Sequence, residues 1–166
     1  MYFKNKGFTL IELLIVIGII AVLAAFVFVA LNPGQRFEDS RNARRWADVN
    51  SILEAIKLDQ VDNGGDYFDD LEELTASLYY QIGTGESCND TCSNPTVVLQ
   101  TACIDLEELA DDGYLPAVPT DPNASGASED ETRYYLMKGS SGTLTVGSCS
   151  EETGSNSSVP QIQVSR

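Results

Sequence analysis

The chain has 166 residues, and its 25 Asp and Glu residues outnumber its 10 Lys and Arg residues, which gives a formal net charge of −15. Such a charge repels nucleic acid phosphates and anionic lipid headgroups, so direct nucleic acid binding is not expected. The sequence contains no histidine, which removes the commonest general base and metal ligand. Nucleophile elbows, P-loops and zinc motifs are also missing from the sequence, and we expect no catalytic residues and no enzymatic activity.

The charge is unevenly distributed along the chain. Residues 32–58 carry five basic and four acidic residues, whereas residues 59–166 carry three basic and 20 acidic residues. The sequence therefore predicts a nearly neutral segment followed by a strongly acidic head.

The first predicted element is a long apolar helix. Leu13 to Leu31 run for 19 residues without a charge, and nothing in the run is more polar than Gly18. That length is sufficient to span a bilayer as a helix. Glu12 directly precedes the run, and a carboxylate inside an apolar segment costs roughly 2.5–3.5 kcal/mol on insertion scales. A simple anchor has no use for such a residue, so the pattern indicates that Glu12 has a specific partner.

The residues Gly7-Phe8-Thr9-Leu10-Ile11-Glu12-Leu13 resemble the class III (prepilin) signal of bacterial type IV pilins and pseudopilins. The resemblance implies that residues 1–7 are a leader peptide, which a prepilin peptidase removes between Gly7 and Phe8. It also implies that the new amino terminus at Phe8 is N-methylated. Glu12 then corresponds to the family's glutamate, which meets the terminal amine of a neighbouring subunit. Each charge is unfavourable alone in apolar surroundings and tolerable when the two are paired.

The same resemblance implies a structural role. The precursor would be a single-pass protein of the inner (cytoplasmic) membrane, in contact with lipid, with its C-terminal part outside. After leader cleavage, an inner-membrane assembly platform would build it into a homopolymeric extracellular filament for adhesion, motility or DNA uptake. The alternatives are a pseudopilin of a type II secretion or competence machine, for which the layout resembles a major pseudopilin, and a membrane-anchored monomeric adhesin or binding protein.

Residues 8–31 are predicted to form the hydrophobic helix and residues 32–58 its amphipathic continuation. Asn32-Pro33-Gly34 interrupts the pattern and predicts either a break or a kink. Apolar residues recur beyond it at helical spacings: Phe37, Trp46, Val49, Ile52, Leu53 and Ile56. Arg41, Arg45 and Asp48 line a different face, which we expect to meet solvent or neighbouring subunits.

Residues 59–149 are predicted to form the acidic head. Cys103 to Gly113 is typical of a short helix, and Arg133–Met137 with Thr143–Cys149 predicts a hairpin. Residues 150–166 are predicted to be a polar tail, mobile in its first part, with an edge strand or an ordered end from Val159. The fold class is therefore α+β: a long N-terminal helix on a small antiparallel sheet of three or four strands, which matches the type IV pilin fold.

The four cysteines, Cys88, Cys92, Cys103 and Cys149, all lie in the acidic head. An even number in a small exported domain favours two disulfides over a zinc site. Of the three possible connectivities, we favour Cys88–Cys92 with Cys103–Cys149.

A cluster of carboxylates precedes the predicted hairpin and includes Asp121, Glu129 and Asp130. Hard cations need several oxygens from a preorganised loop, and this region resembles the loop in which some major pseudopilins bind calcium. Solvated surface charge is the favoured interpretation, so no cofactor is expected, and calcium is the alternative.

Overall fold

The structure is a computed structural model that describes residues 7–88, 91–93 and 96–166. Residues 1–6 of the predicted leader lie outside the described residues. The chain begins with a bent helix in two parts, α1 (Leu10–Leu31) and α2 (Pro33–Asp62), which meet at Asn32. Asn32 adopts a left-handed conformation with φ 38° and ψ 74°, and Pro33 has no N–H to continue the helical hydrogen bonds. The Asn-Pro pair is therefore a true interruption between two helices.

The head contains two short helices, α3 (Asp69–Glu72) and α4 (Glu107–Asp111), and six strands. The strands are β1 (Tyr79–Gln81), β2 (Thr91–Ser93), β3 (Thr96–Val98), β4 (Tyr134–Lys138), β5 (Leu144–Ser148) and β6 (Gln163–Ser165). Four of them form an antiparallel sheet in the order β1-β4-β5-β6, and β2 pairs with β3 in a separate hairpin. The predicted α+β architecture is confirmed.

The predicted hairpin is present as β4 and β5, in which Leu136 lies opposite Val146. Its turn ends at Gly142, which has φ +82°, a conformation that side chains disfavour. The C-terminal segment supplies β6, which pairs with β5 in the register Val146 to Val164. An edge strand from the tail is thus also present, although it begins later than Val159.

One face of α2 packs against the sheet and forms the main core. Val49, Ile52, Leu53 and Ile56 are buried there, as their helical spacing predicts. From the head, the core receives apolar residues of the helices, strands and loops, among them Leu71, Ile82, Leu106, Leu109, Tyr134, Leu136, Leu144, Val146 and Ile162. Phe37 and Trp46 belong to the same apolar series but are 65% and 40% exposed. At their level polar contacts rather than an apolar core join α2 to the head, as described below.

The disulfides follow a different connectivity from the one we favoured. Cys88 pairs with Cys103, and Cys92 pairs with Cys149. The Cys88 N–H donates to the Thr101 carbonyl at 2.8 Å, which places Cys88 beside Cys103. Strand β2 meanwhile carries Cys92 against Cys149 in a second buried cluster with Tyr135. The predicted Cys88–Cys92 pairing is wrong. Although these two residues are close in sequence, the chain places Cys88 beside Cys103 and Cys92 beside Cys149.

Candidate functional site

The leader junction is an accessible segment of the structure. Gly7 is exposed, and a Cβ built on it would meet no atom within 4 Å. Phe8 is 89% exposed. Among the described residues, nothing therefore imposes a steric requirement for glycine at position 7, so the prepilin peptidase that the resemblance implies is the expected source of any such requirement. Cleavage at this junction remains a prediction.

Helix α1 begins immediately after the junction with a capping box. Thr9 is the N-cap, and its hydroxyl oxygen accepts a hydrogen bond from the Glu12 N–H at 3.2 Å. In return, Glu12 Oε2 accepts from the Thr9 N–H at 2.8 Å and from the Thr9 hydroxyl at 2.7 Å. These reciprocal bonds satisfy backbone donors that the first turn of a helix leaves without partners. The sequence Thr9-Leu10-Ile11-Glu12 is the signal that predicts this motif.

The capping box gives Glu12 a partner within its own helix, whereas the sequence pattern predicts a partner only in a neighbouring subunit. Glu12 also lies in the first turn of the helix, where the helix dipole favours a negative charge. The box does not use Glu12 Oε1, so a second donor can approach the carboxylate. One glutamate can thus start its own helix and still accept a bond from another chain.

Every residue of α1, from Leu10 to Leu31, is exposed. The helix contains 22 residues, which corresponds to about 33 Å at 1.5 Å per residue, against about 30 Å for the hydrocarbon core of a bilayer. Its length and composition are sufficient to cross a membrane. None of the residues that the structure describes covers this apolar surface, and a surface of this size is typical of contact with lipid or with other protein chains.

The first half of α2 is joined to the head by a partly buried polar cluster, which we call the clamp: Arg41, Asn42, Arg45, Asp121 and Glu152. Arg45 is 1% exposed and makes two bonds to Asp121, Nε to Oδ2 at 2.7 Å and Nη2 to Oδ1 at 2.9 Å. A third bond runs from Arg45 Nη1 to Glu152 Oε2 at 2.8 Å. Two-point pairing of a guanidinium with a carboxylate is the strong geometry for such contacts.

The clamp corrects two predictions. Arg45 does not face solvent or neighbours, and Arg41 also turns toward the head, where it binds both carboxylate oxygens of Glu152. The hydrogen bonds from Arg41 lower the pKa of Glu152, and partial burial opposes this effect without cancelling it. The start of the tail is also held against α2, because the Gly154 N–H donates to Glu38 at 2.8 Å. Within the first part of the tail, which is predicted to be mobile, Glu152 and Gly154 are thus hydrogen-bonded to α2.

The three calcium candidates lie in different surroundings. Asp121 is buried beneath Arg45, which already supplies a cation to both its oxygens. Glu129 and Asp130 are exposed, and Asp130 Oδ1 accepts a bond from the Thr84 hydroxyl at 3.2 Å. Among the residues that the structure describes, no three acidic, His or Cys side chains are arranged to hold a metal ion. Solvated surface charge stays the favoured interpretation of this loop, and calcium stays the alternative.

The sequence contained no signal for the clamp. Arg45 and Asp121 are 76 positions apart, and neither belongs to a recognisable motif. The helical spacing of Arg41 and Arg45 showed only that both lie on one side of α2. Only the path of the loops after α4 and β5 brings Asp121 and Glu152 to that side.

Comparison with known proteins supports the first part of the chain. Residues 2–28 match the family model for the prokaryotic N-terminal methylation motif. This segment therefore carries the class III signal of pilins and pseudopilins, as its resemblance indicated, and the chain is pilin-like in its signal and its long apolar helix. The motif implies processing by a prepilin peptidase and assembly into a pilus-like filament. No curated protein and no solved structure gives a significant match.

Proposed function

We propose that the mature chain begins at N-methylated Phe8 and is the structural subunit of an extracellular type IV pilus-like filament. The observation that carries this proposal is the combination, at one end of the molecule, of the methylation motif with a fully exposed apolar helix. The helix keeps the subunit in the cytoplasmic membrane after export of the head. The inner-membrane assembly platform then moves subunits into the filament, where their helices cover one another.

In this filament, Glu12 accepts a bond from the Phe8 amine of a neighbouring subunit. Helix contacts between apolar side chains are interchangeable along the axis, and one polar pair fixes the register. The carboxylate is available because its own capping box occupies one oxygen. Removal of the charge leaves the neighbour's amine unpaired in apolar surroundings, which costs a few kcal/mol at each subunit contact.

The capping box makes it possible to separate the two roles of Glu12. Glutamine can replace glutamate at this position of the box, so Glu12→Gln keeps the helix start and removes the charge. We expect this variant to be processed normally, to accumulate in the membrane as the wild type does, and to form few or no surface filaments. Immunoblots of the membrane pool and electron microscopy of the cell surface measure these outcomes.

Two further results bear on the proposal. Mass spectrometry of the purified protein should find an N-terminal peptide that starts at methylated Phe8. A mature chain that starts beyond residue 30 would contradict the filament function altogether. Abundant normal filaments from Glu12→Gln would show instead that the charge of Glu12 is not needed for register. Absence of surface filaments from the wild type would favour the anchored monomer.

Pilins and pseudopilins share the motif, and the length and number of the filaments distinguish the two. The pilus function predicts long surface filaments in which this chain is the main component. A pseudopilin of a secretion or competence machine would be found in few copies, with no long filaments at wild-type expression. Quantitative mass spectrometry of sheared surface material separates these outcomes.

A further inference from the structure

The end of the head that surrounds the last turn of α2 carries carboxylates without cations. We call this surface the acidic end: Asp59, Asp62, Glu108 and Asp112, with Asp69 and Asp70 beside them. Loss of solvation, followed by the charges of Asp112 and Asp59, raises the pKa of Glu108. Among the residues that the structure describes, none of these carboxylates forms an ion pair within the chain.

Asp59 shows this lack of positively charged partners most clearly. Its side chain is 2% exposed, and Oδ1 accepts a bond from Asn63 Nδ2 at 2.8 Å. Oδ2 is buried without a hydrogen-bond partner in the described structure. Burial and the nearby charge of Asp112 raise the pKa of Asp59. A buried carboxylate oxygen in this position gains from a cation brought to the adjoining surface.

The complementary charges lie at the other end of α2. The side chains of Arg36 and Arg44 are 70% and 64% exposed. Each lies 3.8 to 3.9 Å from a carboxylate of its own helix, which is at the long limit of an ion pair. Such exposed pairs contribute little and leave the guanidinium free to bind elsewhere. We call Arg36 and Arg44 the basic strip.

We propose that the basic strip of one subunit binds the acidic end of a second copy of this chain. The inference rests on the proposed filament, and it names the surfaces by which the head of one subunit meets α2 of another. The occupant is a second copy because a filament packs parallel helices side by side, and because arginine is suited to pair with clustered carboxylates.

The geometry fixes the displacement between the two copies. The middle of the basic strip is near residue 40 and the middle of the acidic end is near residue 60 on the same helix. Twenty residues correspond to about 30 Å along a helix axis. A parallel copy shifted by that distance brings its Arg36 and Arg44 level with Asp59 and Asp62 of the first copy.

The same shift accounts for one exposed aromatic residue of α2. At about 100° per residue, Phe37 lies on the same side of α2 as Asp62, whereas Trp46 lies on the opposite side. The shift sets residues 10–31 of the second copy level with residues 30–51 of the first, so that the apolar α1 lies alongside Phe37. This side chain is exposed in the single subunit and would be covered in the assembled pair. One displacement therefore accounts for the acids without ion pairs, the weakly paired arginines and the exposed Phe37.

A charge exchange tests this contact. We expect Arg36→Glu with Arg44→Glu to reduce surface filaments about fivefold or more, since about 1 kcal/mol per contact changes an equilibrium about fivefold. Glu108→Lys with Asp112→Lys should reduce filaments similarly, and all four changes together should restore at least half of the wild-type amount. Arg166→Glu is the matched control, because Arg166 is an exposed arginine outside both surfaces. The membrane pool, measured by immunoblot, should stay unchanged throughout.

Cross-linking tests the displacement directly. Arg44→Cys combined with Asp62→Cys should give disulfide-linked subunit ladders in sheared wild-type-like filaments, whereas Arg44→Cys with Ser125→Cys should not. Near-normal filaments from the double arginine variant, or a loss that the four-fold exchange does not restore, would overturn the contact. Loss of filaments in EDTA without rescue by exchange would assign the acidic end to a divalent cation instead. Missing wild-type filaments would overturn the filament function and this inference together.

Discussion

The two ends of this chain obtain their stability in different ways. Helix α1 is exposed along its whole length, while the head buries a continuous core in which residues such as Ile52 and Tyr134 are 0% exposed. The head can therefore be stabilised by its own contacts. The burial of α1 has to come from lipid or from other subunits, since its backbone bonds alone do not cover its side chains.

Helix α2 belongs to both regions. Its second half packs its apolar face into the core, and its first half is attached through the clamp and the start of the tail. The half of α2 that is nearer to α1 is therefore held against the head by a few charged residues, whereas the other half is held by apolar packing. Changes in the head should therefore leave α1 intact, and changes at the start of α1 should leave the head intact.

The largest effect on the head should come from the clamp. Arg45→Met removes the cation and leaves the buried Asp121 carboxylate with only the Asn123 and Ala124 N–H groups as partners, which costs about 3–5 kcal/mol for an uncompensated buried charge. We expect urea unfolding of the micelle-bound protein, followed by the fluorescence of Trp46, to show this loss. Helical circular dichroism from α1 should persist after the head has unfolded.

Arg44→Met is the matched control for this measurement. Arg44 is the preceding residue, and its side chain is 64% exposed, so the change should alter the free energy of unfolding by less than about 0.5 kcal/mol. Combining Arg45→Met with Asp121→Leu should cost less than the sum of the two single changes, because no buried charge then remains alone. Strict additivity would show that the pair is not coupled.

The second largest effect should come from the disulfides, and the two should differ. The Cys92–Cys149 bond joins residues 57 positions apart, and Cys88–Cys103 joins residues 15 positions apart. Chain entropy predicts contributions of about 4 and about 3 kcal/mol. Replacing Cys92 and Cys149 with alanine should therefore destabilise the head more than replacing the other pair. Equal or reversed losses in denaturant unfolding would contradict the entropic account.

The disulfides also show that contacts between distant parts of the chain could not be predicted from the sequence. Local patterns predicted the apolar helix, the apolar face of α2 at Val49 to Ile56 and the β4–β5 hairpin, because each depends on residues close in sequence. The capping box was equally readable at Thr9 and Glu12. Each of these features is defined within a few turns or a single hairpin.

The disulfide pairing and the clamp depend instead on how distant loops fold over the sheet. The pairing of Cys92 with Cys149 requires β2 to lie against the end of β5, and nothing local encodes that position. Arg45 looked like a solvated arginine because its partners come from loops 76 and 107 positions away. Residues 151–155 looked mobile because their composition is polar, although that polarity serves their bonds to α2.

A smaller effect on the head should depend on pH. Burial, together with the negative charge of Asp121, raises the pKa of Glu151 to about 7 from its usual 4.5, despite a bond from the Ile162 N–H and the opposing charge of Arg45. The folded state therefore holds this proton more tightly, and wild-type stability should fall as the pH rises from 4.5 to 7.

Glu151→Gln keeps an oxygen for the Ile162 N–H and removes the titration. At pH 8 we expect the variant to be more stable than the wild type by about 2–3 kcal/mol, and this advantage should shrink toward pH 4. Thermal unfolding at a series of pH values measures the difference. Glu129→Gln, at an exposed position, is the control and should show no such trend.

The smallest effect should fall on α1, outside the head. Thr9→Ala removes the hydroxyl of the capping box and should weaken the first turn of α1 by about 1 kcal/mol. Hydrogen exchange in micelles should then be about fivefold faster at Leu10 to Leu13. Thr9→Ser retains the hydroxyl and should behave as the wild type. A change in the unfolding of the head would contradict the independence of the two regions.

The interruption at Asn32 has a mechanical consequence. A continuous helix transmits tension through an unbroken series of hydrogen bonds, but Pro33 contributes no donor at this point, and the bond from the Arg36 N–H to the Asn32 carbonyl is long, at 3.4 Å. In the proposed filament, a pulling force along the axis should straighten the bend and open the neighbouring turns before the disulfide-bonded head yields. Each chain would then act as a spring with one soft element, located between its apolar helix and its head.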